Sequence, residues 1–136
     1  MIRGSKPASL AGLFAALADT TRLRLLNLIS GREVCVCYFV EILRQGQPKI
    51  SRHLAYLRKA GIVAARRDGK WMHYRIAPNI DTAAASILTA VLASLASDRQ
   101  IQADLAKLER ACCAPRKLVM PEGAPRPAPI APFDIR

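Results

Sequence analysis

The sequence predicts a mainly α-helical domain with one small β-hairpin, arranged as a winged helix-turn-helix. Three observations carry that prediction. Gln47 to Gly61, QPKISRHLAYLRKAG, places Ile50, Leu54 and Leu57 at helical spacing on one side and polar or cationic groups on the others. Directly after it, two β-rich runs, Ile62–Arg66 and Trp71–Ile76, flank Asp68-Gly69, a strong two-residue hairpin signal. Directly before it, an apolar segment ending in Gln45-Gly46 supplies a helix and a turn.

Composition sets the outer bounds. At 136 residues and 51% apolar content, the chain is long enough for one domain with a real core and too short for two. A net charge of +11 suits a polyanionic partner, and the arginines of the hairpin favour nucleic acid over an anionic membrane surface. No apolar run approaches the ~18 residues of a membrane span, and MIRGSKPASLAGLF lacks the pattern of a signal peptide. The expected setting is therefore the cytoplasm, with no membrane partner.

Taken in order, residues 1–7 read as a flexible leader and 8–113 as the folded domain. Ala8–Ala18 places Leu10, Leu13, Phe14 and Leu17 on one amphipathic stripe, and Asp19 caps a second helix, Thr20–Ser30. That helix turns Leu23, Leu26, Leu28 and Ile29 toward a core, with Arg22 and Arg24 outside. Glu33–Cys35 reads as extended, and Cys37–Arg44 as the first helix of the reading unit, with Phe39, Val40 and Leu43 in its core. Gln45-Gly46 makes the turn. In the helix that follows, Pro48 suits the first helical position and Gly61 the residue past the end.

That helix exposes Gln47, Lys49, Ser51, Arg52 and His53, a mixture suited to base edges and phosphates, and Arg66, Arg67 and Lys70 surround the hairpin tip. The expected partner is double-stranded DNA, with the helix in the major groove and the wing along the neighbouring backbone. A long apolar helix, Thr82–Ser97, and a further one, Arg99 to about Arg110, carry more apolar surface than a small monomer covers. They predict a homodimer through the terminal helices, which presents two reading helices to a palindromic site. Residues 114–136 hold six of the nine prolines without apolar periodicity and read as a disordered or extended tail.

Four cysteines come as two close pairs, Cys35/Cys37 and Cys112/Cys113. In a cytosolic chain, paired thiols point to metal or redox chemistry before a disulfide framework. Alternate residues of an extended segment face one side, so Cys35 and Cys37 can converge on one soft ion, and a helix N-terminus favours their thiolate forms. Two sulfurs leave As(III), which takes three in a pyramid, or Zn(II), which takes four ligands, under-coordinated. Cys112 or Cys113 is the expected source of the third, making all four candidate metal ligands. Their bland alternative is packing as small hydrophobes. His53 and His73 have no partner at metal-ligand spacing, and Trp71 and Tyr74 read as packing residues.

From about Leu10 to Arg110 the chain resembles the ArsR/SmtB family of metal-responsive winged-helix repressors. The segments LADTTRLRLLNLI, EVCVC, QPKISRHLAYLRKAGIV and RRDGKWMHYRI carry the likeness. It implies a homodimeric repressor that releases operator DNA on binding its effector, with Cys35 and Cys37 at the position of the arsenic and antimony site. The implied effector is As(III) or Sb(III), with no permanent cofactor. Three positions depart from the family pattern. Val40 stands where the best-known arsenite sensors have a third cysteine, Asp81-Thr82-Ala83 lacks the histidine of the zinc sensors, and Gly46 replaces a common serine cap. An enzyme is excluded as the main reading: a Cys-x5-Arg phosphate loop starting at Cys37 finds Leu43 where arginine is needed. A thiol redox switch, or a response to Cd(II) or Pb(II), is the competing reading of the same cysteines.

Overall fold

The structure, a computed structural model, describes residues 9–113, 125 and 127–129. Its first two helices begin where the sequence supplies caps. The Ser9 hydroxyl accepts from the Gly12 N–H at 3.0 Å and opens α1, Leu10–Leu17. The Asp19 carboxylate accepts from the Arg22 N–H, also at 3.0 Å, and opens α2, Thr20–Leu28. Only part of the expected α1 stripe is buried: Leu13, Ala16 and Leu17 form the i, i+3, i+4 seam, while Leu10 and Phe14 stay exposed. Leu23 is half-buried, packed on the rim of the core rather than within it.

Strand β1, Arg32–Cys35, runs directly into α3, Val36–Leu43. Arg44 ends α3 in the left-handed region at φ 58°. The turn between the two helices of the reading unit therefore begins one residue before the expected Gln45-Gly46. The second, α4, covers Gln47–Lys59, with Pro48 in its first turn and Gly61 just beyond it at φ 82°. Its apolar seam is buried as periodicity demands: Ile50, Leu54 and Leu57 are all fully inaccessible, packed in one core with Phe39 and Ile42 of α3.

The wing is β2, Val63–Asp68, and β3, Trp71–Ile76. Asp68 pairs with Trp71, so the two-residue loop is Gly69-Lys70, one position later than the expected Asp68-Gly69. Turn chemistry explains the shift. Gly69 alone supplies a positive φ, 62°, and a loop with glycine first leaves Asp68 in the strand. The sheet order is β2-β3-β1-β4, where β4 is Ala128–Pro129 within the expected tail.

Asp81 caps α5, Thr82–Ser94, and Asp98 opens α6, Arg99–Cys113, by accepting from the Ile101 N–H at 3.0 Å. So α5 stops short of the expected Ser97, and α6 runs past Arg110. Among the described residues no helix is long and apolar enough to cross a membrane.

The two arginines placed outside by periodicity are half-buried and engaged. Arg24 makes a two-pronged ion pair with the fully buried Asp104 of α6, at 2.7 and 3.0 Å. Arg22 folds back to donate to the carbonyls of Ala16 and Ala15 at 2.8 and 3.1 Å, closing the end of α1. Both guanidiniums are recruited because helix ends and buried carboxylates need donors that apolar side chains lack.

Candidate metal centre and nucleic-acid interface

Cys35 is the last residue of β1 and the N-cap of α3, and Cys37 lies in the first turn of that helix. Their Sγ atoms are 3.3 Å apart. The pair converges, but not by the strand alternation the sequence suggests: Cys37 is already helical, and the change from strand to helix curls one sulfur over the other. Cys35 is buried and Cys37 half-buried. The Cys37 S–H beside it is the main reason that the Cys35 thiol is lowered to about 6; burial opposes this, and the N–H groups of Cys37, Val36 and Met72 assist. The converse holds for Cys37, whose thiol is pushed up by donating to Cys35, by burial and by the neighbouring negative charge. The two shifts run in opposite directions, so the pair favours one negative charge shared through a single S–H bond over two. This is a nucleophilic, soft-ligand pair at the start of a helix.

Two adjacent sulfurs fit a thiophilic ion as part of its ligand set. Among the described residues no group of three His, Cys, Asp or Glu side chains could hold a metal ion. Cys112 and Cys113 belong to α6, and their side chains lie outside the described residues. Ala111, one position earlier, is buried in the same core as Cys35.

The expected nucleic-acid residues divide by exposure. Gln47, Lys49 and Arg52 are exposed on α4, Ser51 is half-buried, and Arg67 and Lys70 are exposed at the wing tip. Lys70 stacks its ammonium 5.1 Å from the Trp71 ring centroid, and Arg67 donates to the Gly69 carbonyl at 3.4 Å. Arg66 is exposed but already engaged: it donates to both oxygens of Glu33 on β1, at 2.7 and 3.2 Å. This is chiefly what holds the Glu33 carboxyl below its ordinary value, against the opposing effect of burial.

His53 is half-buried, with Nδ1 3.2 Å from the Arg22 guanidinium and 3.9 Å from Asp19. Burial lowers its pKa, partly offset by Asp19. The Arg22 guanidinium also sits 4.2 Å from the centroid of the Tyr56 ring. Arg22 is therefore a clamp between the end of α1 and α4, and Glu33 ties the wing to β1. Neither role is visible in the sequence, because Arg22 and His53 are 31 residues apart and Glu33 and Arg66 are 33 apart.

The pattern of the "Bacterial regulatory protein, arsR family" matches residues 19–65, which run from the cap of α2 to the middle of β2. The chain is 45% identical over 103 residues to the arsenical resistance operon repressor of Escherichia coli K12, covering 75% of this chain and 86% of the relative. The chain belongs to the ArsR family. A second relative, the arsenic resistance transcriptional regulator ArsR1 of Pseudomonas putida, is 51% identical over 50% of this chain and 54% of its own length. The crystal structure of the AntR antimony-specific transcriptional repressor superposes with a TM-score of 0.52 at 32% identity, covering 63% of this chain and 76% of that one. This ArsR-family member is thus a DNA-binding winged-helix repressor, and its family is one of transcriptional regulators rather than enzymes.

Proposed function

We propose that this repressor holds double-stranded operator DNA as a homodimer and releases it when As(III) or Sb(III) binds Cys35, Cys37 and a third sulfur from Cys112 or Cys113. The observation that carries the reading is the 3.3 Å approach of the two Sγ atoms at the junction of β1 and α3. That junction is the start of the first reading helix, whose Phe39 and Ile42 share a core with Ile50 and Leu54 of α4. An ion that gathers three sulfurs pulls on α3, and α4 follows through that shared core. A coupling of only ~1–3 kcal/mol lowers DNA affinity about 5–150-fold. The names of the relatives, which include arsenical and antimony repressors, point to the same effectors.

In this reading Gln47, Lys49, Ser51 and Arg52 meet the major groove. His53, on the same helix, is a phosphate contact in this reading, and its Nδ1 packs 3.2 Å from the Arg22 guanidinium. Arg67 and Lys70 meet the backbone, with Arg66 bracing the wing through Glu33. Residues 8–113 form the DNA-binding and dimerisation domain, 1–7 a leader and 114–136 a tail. Exposed Leu10 and Phe14 on α1, and α5, where only Ala85 and Leu88 are buried, supply the two-fold interface.

The test is a titration of the reduced protein on fluorescent DNA from its own promoter region with As(III), Sb(III), Cd(II), Pb(II) and Zn(II), following anisotropy. Release by the trivalent ions alone supports the proposal. Release by Cd(II) or Pb(II) instead reassigns the effector. DNA that stays bound through all five sinks the metalloid reading and favours oxidation of the same thiols, which mass spectrometry of protein purified without reductant would show as a disulfide.

A further inference from the structure

Strand β1 is held on its two edges by different partners at different positions. Val34 and Cys35 pair with Tyr74 and His73 of β3, whereas Arg32 and Glu33 pair on the opposite edge with Pro129 and Ala128 of β4. So the half of β1 that leads into the thiol pair is anchored by the wing, and the half that precedes it is anchored by the tail. Pro127, just before β4, is buried. In a four-residue strand, two paired positions are half of the backbone. An open strand edge also invites pairing by any extended segment.

We propose that the outer edge of β1 is a strand-accepting surface whose occupant is the chain's own Pro127–Pro129, and that this docking fixes the position of Cys35. The composition of the occupant suits an edge strand. Proline has no N–H to donate and ends a sheet rather than extending it, so Pro129 makes β4 a terminal strand that recruits no further chain. The same chemistry makes the contact simple to break, because Ala128 carries the only backbone N–H in β4. With the tail docked, β1 is held along its full length and Cys35 is shielded beside Cys37. With the tail released, Arg32 and Glu33 retain the Arg66 ion pair and the turn bond from the Arg32 N–H to the Ile29 carbonyl, and the strand end loosens. The proposal goes beyond the metalloid reading and stands whichever ligand the thiols take.

The experiment uses the full-length, reduced protein without metal. Amide hydrogen exchange is followed by mass spectrometry in peptides covering β1, and alkylation of Cys35 by iodoacetamide is timed in parallel. Three variants are compared with the parent: Ala128→Pro, Pro127→Asp, and Ala128→Gly as a conservative control that keeps the N–H. The first two are expected to raise both exchange at Glu33 and Cys35 alkylation about fivefold, the factor that one net backbone hydrogen bond of ~1 kcal/mol represents. Ala128→Gly and the peptides of α2 and α4 should stay at the parent rate, which also shows that the variants fold. Unchanged exchange at Glu33 in both Ala128→Pro and Pro127→Asp would overturn the docking. Faster exchange without faster alkylation would overturn its hold on Cys35.

Discussion

Cys35 and Cys37 differ in role although the sequence presents them as equals. The thiol lowered to about 6 belongs to Cys35, and the main cause is the S–H of Cys37. Alkylation of Cys35 should therefore follow a pH profile with its midpoint near 6, and Cys37→Ala should move that midpoint upward. An unchanged midpoint in the variant would remove Cys37 as the cause. The Glu33–Arg66 pair carries a pH dependence of the opposite practical range. Since the folded Glu33 carboxyl lies below its ordinary 4.5, its contribution to stability is complete above that value and is lost as the pH falls through the lowered one. Glu33→Gln should flatten the acid limb of the denaturation midpoint against pH and leave the neutral plateau shape unchanged. On DNA, Arg67→Ala and Lys70→Ala should each reduce the salt slope of binding by about 1, while Arg66→Ala should change it less, because its charge is already matched by Glu33. At this scale the sequence was partly legible. The cysteine pair stands out by spacing alone, but the partners of Arg22 and Arg24 do not, since periodicity ranks positions by hydrophobicity and ignores groups such as Asp104, 80 residues away.

Among the elements, α4 was the most legible, because its seam, its first-turn proline and its terminal glycine are all local signals. Leu54→Ala, at a fully buried position, should cost ~2–5 kcal/mol in chemical denaturation, with the spread set by how far the site collapses. A weak point lies at the other end of the same helix. Gly46 occupies the N-cap with no side chain to accept from the free N–H groups, its φ is −64°, and an added Cβ would meet only Pro48 Cδ at 3.7 Å. Gly46→Ser should therefore stabilise the protein by a few tenths of a kcal/mol, measured the same way. The hairpin of the wing is legible in the sequence but its loop is offset by one residue, since only the sheet register separates glycine first from glycine second. Strand β4 was not legible at all: two residues carry no periodicity, and their partner strand lies near the other end of the chain.

For the whole molecule, the winged-helix class followed from the order of elements, and the chain's family confirms it. Among the described residues, α1 carries two large exposed apolar side chains, Leu10 at 61% and Phe14 at 50%. The double substitution Leu10→Glu and Phe14→Glu should shift sedimentation toward the monomer and weaken operator binding, whereas a dimer unaffected by it would place the interface elsewhere. If the proposed function holds, two sulfurs 3.3 Å apart act as a preformed chelate, because a soft ion captured by the first meets the second at a very high local concentration. Capture needs one encounter, but escape needs both bonds open at once. A centre built this way loads quickly and empties slowly, so it would retain a record of a brief exposure after the surrounding solution has cleared.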